Sequence, residues 1–211
     1  MTSLLVIAKQ PLPGRVKTRL TPPFSPGEAA SLAEAALADT LTVVRRVPAE
    51  RHVLVLEGEP GPWLPPGFEV VPQAAGGLDA RLAAAFAACR ERPALLVGMD
   101  TPQLTPELLA PALCWETYDA WFGPATDGGF WALGLARPDP ALLLGVPMSR
   151  PDTGAVQQGR LRAAGLRVGT LPVLRDVDTA DDARRVAAEA PATRFAERHS
   201  VLTAAPAGAG W

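Results

Sequence analysis

Leu4-Leu5-Val6-Ile7-Ala8, running straight into Lys9-Gln10-Pro11-Leu12-Pro13-Gly14-Arg15-Val16-Lys17-Thr18-Arg19-Leu20, is the stretch from which the rest of the chain can be read. A short apolar run bounded by polar residues and prolines predicts a strand buried on both faces, the kind found in parallel sheets. Lys9 to Pro23 then reads as a loop rich in Pro, Gly and basic residues. From Lys9 to Leu20 it carries four positive side chains, Lys9, Arg15, Lys17 and Arg19, and no acid. Lys9 and Lys17 are the only lysines among 211 residues.

Downstream the pattern alternates. Ser25, Pro26 and Glu28 predict a capped helix start, followed by apolar residues at helical spacing through Val44. Val53–Leu56, Glu69–Val71 and Ala94–Val97 read as strands, with a helix over Asp79–Arg92 between the last two. Thr105 predicts the cap of a helix over Pro106–Cys114. Ala120–Gly123 and Phe130–Leu135 read as strands around Asp127-Gly128-Gly129. A helix over 153–164, a strand over 166–171 and a helix capped at Thr179 complete the order. Strands alternating with helices imply an α/β fold with a parallel or mixed sheet, whose ligands sit outside the carboxyl ends of the strands. One domain is expected over residues 1–199, with a loose Ala/Gly/Pro-rich tail over 200–211.

Composition narrows the function. A net charge of −2 argues against a nucleic-acid binder acting through bulk charge. No apolar run is long enough to span a bilayer or to form a signal-peptide core, so a soluble cytoplasmic protein is expected. Cys89 and Cys114 fit no metal spacing and read as two buried, reduced thiols. Trp63, Trp115, Trp121 and Trp131 read as core or pocket wall, and His52 and His199 suggest no general base.

Four constellations could carry chemistry. The basic loop, with Gly14 to let the backbone turn, suits a polyphosphate, although it matches neither a Walker loop nor a dinucleotide fingerprint; a solvated basic loop is the alternative. Asp100, at the end of a buried strand in Gly98-Met99-Asp100-Thr101-Pro102, could hold a divalent metal or merely form a turn. Asp127-Gly128-Gly129 could admit a ligand close to the backbone or be a tight turn. Asp176 and Asp178 alternate onto one side of an extended segment, where two carboxylates invite a cation; helix capping by Asp178 or Thr179 is the alternative.

Taken in order, Lys-x-Pro-x-Pro-Gly-x-Val-Lys-Thr-Arg-Leu from Lys9, Gly-x-Asp-Thr-Pro from Gly98, Gly-Pro-Ala-x-Asp-Gly-Gly-Phe from Gly123 and Asp-Val-Asp-Thr-x-x-Asp from Asp176 resemble the DUF2064 family of glycosyltransferase-like proteins, within the nucleotide-diphospho-sugar transferase superfamily. The match covers roughly residues 3 to 186. It implies a GT-A-like three-layer αβα sandwich with a mostly parallel mixed sheet. It also implies a nucleotide near Lys9–Arg19 and a divalent metal at Asp100. The nucleotide-binding candidates are then Lys9, Pro13, Gly14, Arg15, Lys17, Arg19 and Arg81, and the charge pattern makes Asp178 and then Asp176 the partners of Asp100 in holding Mg²⁺ or Mn²⁺. The chain is also similar to guanylyltransferases of deazaflavin cofactor synthesis. It departs from the family at Met99, where a small polar residue is usual, and at Gly77, where an acid is usual.

Three activities fit. In the first, a small anionic acceptor attacks the α-phosphate of a nucleoside triphosphate and pyrophosphate leaves. In the second, a sugar is transferred from a nucleotide sugar; the third is nucleotide binding without catalysis. A triphosphate brings about four negative charges and a nucleotide sugar about two, so a dense basic loop plus metal favours the first. Lys17, Asp100 and Asp178 are then the catalytic candidates. Asp127, Gly128 and Gly129 are expected on the acceptor side, with Ser149 and Thr153 beside them.

Overall fold

The computed structural model of the protein describes residues 1–204. Strand β1 (Ser3–Lys9) is almost wholly buried and sits inside a seven-stranded sheet. The other strands are β2 (Arg51–Glu57), β3 (Glu69–Pro72), β4 (Ala94–Val97), β5 (Ala120–Pro124), β6 (Phe130–Leu135) and β7 (Val168–Thr170), and the spatial order is β3-β2-β1-β4-β6-β5-β7. Only β6 runs against its neighbours, pairing antiparallel with β4 and β5. Every other pairing is parallel. The sheet is therefore mixed and mostly parallel, as expected.

Alternation along β1 builds two cores. Leu4, Val6 and Ala8 pack with Leu37, Leu41 and Val44 of α1 (Pro26–Arg46) on one face. Leu5 packs on the other, with Phe86 of α2 (Leu78–Ala87) and Leu161 of α4 (Thr153–Ala163). Burial on both faces explains the uninterrupted apolar run, and helices on both faces make the three-layer sandwich. The capping box of Ser25 and Glu28 is formed, with both reciprocal hydrogen bonds present. Trp63, Trp121 and Trp131 are buried in the first core and Trp115 packs against it. The indole N–H groups of Trp115, Trp121 and Trp131 donate to Thr2 Oγ1, the Cys114 carbonyl and the Pro172 carbonyl.

Several boundaries differ from the sequence reading. The helix expected over 106–114 is α-helical only over α3 (Pro106–Leu109) and continues as a 3-10 turn, Ala110–Leu113. Pro111 lacks the N–H that an α-helix would need there. Helix α2 stops at Ala87 because the chain tightens into i→i−3 bonds, Cys89 N–H to the Phe86 carbonyl and Arg92 N–H to the Cys89 carbonyl. Cys89 is buried as expected, whereas Cys114 is exposed, because the chain turns outward where the 3-10 turn ends.

A third apolar cluster joins Leu20, Phe24, Leu32 and Ala36 to Val177, to Ala183 and Val186 of α5 (Ala180–Glu189), and to Phe195 of α6 (Arg194–Ala204). No helix was expected over 194–204. It is held from a distance: Asp39, buried in α1, accepts the N–H groups of Arg194 (3.2 Å) and Phe195 (2.9 Å), while Thr193 accepts that of Ala196. Helix α6 thus occupies 200–204 of the stretch expected to be loose, and 205–211 lie outside the described residues. No described helix is long and apolar enough to cross a membrane.

Removing the Asp39 carboxylate strands two donors at the start of α6. Asp39→Ala is expected to cost about 1–3 kcal/mol in urea unfolding, the range for an orphaned buried hydrogen-bonding group, with faster amide exchange across α6. A loss below about 0.5 kcal/mol, the scale of a neutral surface change, would show that α6 docks through apolar contacts alone.

Candidate functional site

The basic loop is pinned at two points. Val16 is buried in the first core and Leu20 in the third cluster. Between them Lys17 takes a left-handed backbone conformation (φ 49°, ψ 40°), which costs a non-glycine residue on the order of 1–2 kcal/mol. The segment 175–178 is pinned in turn. Val177 is buried in the third cluster and its N–H donates to the Asp100 carbonyl at 2.9 Å. The Gln103 amide donates to the Arg175 carbonyl at 2.6 Å. Apolar anchors on one side and backbone hydrogen bonds on the other therefore bring the loop after β1, the end of β4 and the 175–178 segment to one place.

The charged groups meet there. Lys17 Nζ lies 2.9 Å from Asp100 Oδ2 and 3.5 Å from Asp178 Oδ1, with only 9% of its side chain exposed. Burial alone would lower the Lys17 pKa. The charge and hydrogen bond of Asp100, then the charges of Asp178 and Asp176, outweigh it, so the pKa rises and the ammonium stays protonated. Arg19 reaches the other Asp178 oxygen at 2.8 Å from a largely exposed position. Asp178 is not the helix cap: Thr179 caps α5 with Asp182 as its capping-box partner. Among the described residues, no backbone N–H bonds the Asp100 carboxylate as a turn former would require.

Asp176 stands apart within the same cluster. Its Oδ1 is buried with no hydrogen-bond partner. Burial, and then the nearby charges of Asp127 and Asp100, push its pKa up to about 6, against the opposing pull of its backbone hydrogen bond and of Lys17. Thr101 Oγ1 and Gln103 Oε1 are likewise buried and unpartnered, so three orphaned polar atoms surround the end of β4.

The other expected residues are distributed unevenly. Pro13, Gly14 and Arg15 are exposed, and Arg15 forms no ion pair among the described residues. Lys9 and Arg81 meet at Glu57, the last residue of β2. Arg81 also donates to Gln73 Oε1 (3.2 Å) and to the Gly76 carbonyl (3.0 Å). Glu57, Gln73 and Gln103 were missed by sequence reasoning. A charged residue closing an apolar strand was the one available signal for Glu57.

The glycine-rich turn is corrected in part. Gly123 makes room for Trp131, whose ring a Cβ would meet at 2.6 Å. Gly128, at φ +88°, makes room for the Pro151 carbonyl, which a Cβ would meet at 1.9 Å. At Gly123 and Gly128 the missing Cβ is therefore accounted for by close-packed protein. Asp127 is exposed and accepts the Gly129 N–H at 2.7 Å, so it closes the turn while its charge reaches Asp176. Thr153 is buried, its hydroxyl committed to the Pro147 carbonyl and the Arg150 N–H, and so holds the loop before α4; Ser149 is exposed in that loop.

Among the described residues no group of three or more His, Cys, Asp or Glu side chains is close enough to hold an ion. Asp100 and Asp178 nevertheless converge on one cation, Lys17 Nζ. Mg²⁺ commonly takes one or two protein carboxylates and completes its shell with water and phosphate, so the Asp100 and Asp178 pair fits a hard divalent ion. Asp176, expected as a third ligand, does not come close enough to complete a three-carboxylate group.

The raised pKa of Asp176 has a definite sign. The folded chain holds that proton more tightly than the unfolded chain, so stability falls as pH rises from about 4 through about 6. Asp176→Asn should therefore raise Tm by a few degrees at pH 8, corresponding to ~1–2 kcal/mol after solvent screening, and by less at pH 5. Thermal melts at the two pH values check this; an equal gain at both, or a loss at pH 8, would show that burial of the charge is not what destabilises Asp176.

No curated protein matches the chain. Among solved structures it is similar to one from Desulfovibrio desulfuricans G20 that carries the provisional name nucleotide-diphospho-sugar transferase, at 27% identity and TM-score 0.85, covering 96% of this chain and 94% of that one. It is also similar to Rv0371c from Mycobacterium tuberculosis H37Rv (22% identity, TM-score 0.58, 88% and 96% covered). A third is 2-C-methyl-D-erythritol 4-phosphate cytidylyltransferase from Thermus thermophilus (16% identity, TM-score 0.53, 95% and 98% covered). The last two likenesses are of fold alone. The model of DUF2064, described as an uncharacterized protein conserved in bacteria, matches residues 31–150, and with more than half of its length matched the chain belongs to that family.

Proposed function

We propose that the protein is a metal-dependent transferase that binds a nucleoside triphosphate and passes the nucleotidyl group to a small anionic acceptor, with release of pyrophosphate. The observation that carries this is the Lys17 ammonium, buried between Asp100 and Asp178 at the carboxyl edge of the sheet, in a loop that adds Arg15 and Arg19 and follows directly on Lys9 at the end of β1. A triphosphate supplies about four negative charges for these cations to neutralise, more than a nucleotide sugar offers. Lys17 and Arg15 hold the donor phosphates, and Arg19 and Lys9 close on them. Arg81, through Gln73 and the Gly76 carbonyl, orders the loop next to the nucleotide.

Asp100 and Asp178 would hold Mg²⁺ or Mn²⁺, with Asp176 next to them; the ion supplies charge stabilisation for the leaving pyrophosphate. Fixed positions for both reactants lower the barrier by removing the entropy of bringing them together. The acceptor lies between Asp127 and Ser149. An acceptor that is already an anion needs no general base, and neither histidine is placed to be one. His52 Nε2 lies 3.1 Å from the Val47 carbonyl, and His199 packs against the Phe24 and Phe195 rings. Glycosyl transfer is the second reading, supported by the likeness to the Desulfovibrio protein.

A thermal-shift screen of nucleoside triphosphates and nucleotide sugars, each with Mg²⁺ or Mn²⁺, separates the two, since the preferred donor stabilises by mass action. A triphosphate should give the largest shift and release pyrophosphate in the presence of the acceptor; a nucleotide sugar giving the larger shift would favour glycosyl transfer. Lys17→Ala should weaken triphosphate binding by ~1–3 kcal/mol, the scale of a charge-assisted contact. Asp100→Asn should abolish the metal-dependent part of binding; Asp178 still faces Lys17, so the variant should fold, with a lower Tm than wild type. Full binding in either variant would remove that residue from the site.

A further inference from the structure

The lysine and the divalent ion proposed for this site would draw on the same two carboxylates. Lys17 Nζ contacts Asp100 Oδ2 and Asp178 Oδ1, the carboxylates that would ligate a divalent ion. A divalent ion and an ammonium cannot share these oxygens at close range without strong repulsion. We propose that Lys17 is a resident counter-cation, which a divalent ion must displace, so that the protein takes up metal and polyphosphate together and binds metal poorly without phosphate. This rests on the metal–phosphate reading above.

The surrounding geometry is built for such an exchange. Val16 and Leu20 anchor the backbone on either side of Lys17, so the loop need not refold for the side chain to move. The lysine stem is long and flexible, and its backbone is held in a left-handed conformation that the anchors enforce. Arg19, the second cation on Asp178, is 73% exposed and leaves the carboxylate at little cost. Arg15, exposed and without an ion pair among the described residues, can meet an incoming polyanion first. Once phosphate oxygens offer Lys17 another set of negative charges, Asp100 and Asp178 are free for the ion. With the lysine in place, the carboxylates stay neutralised and their mutual repulsion does not open the apo site.

The experiment measures Mn²⁺ binding to the purified protein in the absence of nucleotide, by loss of the free-ion paramagnetic resonance signal. Wild type, Lys17→Met and Lys17→Met/Asp100→Asn are compared. Lys17→Met keeps the length of the side chain and removes its charge. It should bind Mn²⁺ at least about tenfold more tightly than wild type, and the gain should vanish in the double variant. Equal or weaker binding by Lys17→Met, or no binding by either protein, overturns the proposal. Should Lys17→Met not fold, Lys17→Gln, which retains a donor for Asp100, takes its place; if neither folds even with Mn²⁺ present, Lys17 is a structural cation and the proposal falls. Because no nucleotide is used, failure of the nucleotidyl-transfer reading is seen separately, in the triphosphate screen. The paired signature is distinctive: loss of the lysine charge tightens metal binding and weakens triphosphate binding.

Discussion

One buried ammonium organises this molecule's carboxyl edge. Asp100 follows the end of β4 and Asp178 precedes α5, and without a cation between them their charges would push the two segments apart. Lys17 supplies that cation from a third segment. Its side chain is nearly buried while the two carboxylates stay about a third exposed, and their attraction outweighs the cost of burying the ammonium, which therefore stays charged. The same three segments are clamped mechanically by Val16, Leu20 and Val177 and by the Val177 N–H on the Asp100 carbonyl. Charge and packing therefore support a single arrangement.

Function follows from this balance of charge. The cluster contains more carboxylates than cations: Asp100, Asp127, Asp176 and Asp178 face Lys17 and Arg19. Asp176 bears the imbalance, with an orphaned oxygen and a pKa raised to about 6. On the proposed function, this excess of carboxylate would take up a further cation and the lysine and arginines a polyanion. A metal–polyphosphate complex satisfies both demands, which is why the proposed reaction centres on phosphoryl chemistry and not on a histidine base.

The glycine-rich turn shows how one sequence feature can mislead about its purpose. Asp127-Gly128-Gly129 reads as a place where a ligand approaches the backbone. In the fold the approach is made by the Pro151 carbonyl and by the start of α4, where Gly154 N–H donates to the Gly128 carbonyl at 2.8 Å. The turn is a buttress that sets the exposed carboxylate of Asp127 beside Asp176. Thr153 was expected to face an acceptor and instead fixes the loop before α4, since both bonds of its hydroxyl are made within that loop.

Features whose causes are local could be read along the chain. An apolar run with no polar break must be buried on both faces, and that established β1 and the sandwich around it. Ser25-Pro26-x-Glu28 and Thr179-x-x-Asp182 cap helices with atoms three residues apart, so α1 and α5 were legible. The basic residues of the first loop, Asp100 and the Asp176/Asp178 pair stood out because charge at strand ends is conspicuous against apolar runs. Only the tertiary structure decided which charges meet. Lys17 and Asp178 lie 161 residues apart, and no periodicity encodes that an ammonium, not an open cleft, separates Asp100 from Asp178. Helix α6 escaped notice for the same reason: its start is held by Asp39, 155 and 156 residues earlier in the chain. Pairings of this kind arise from the packing of α1, α5 and α6 into one apolar cluster, and packing is a property of the folded chain rather than of any window along it.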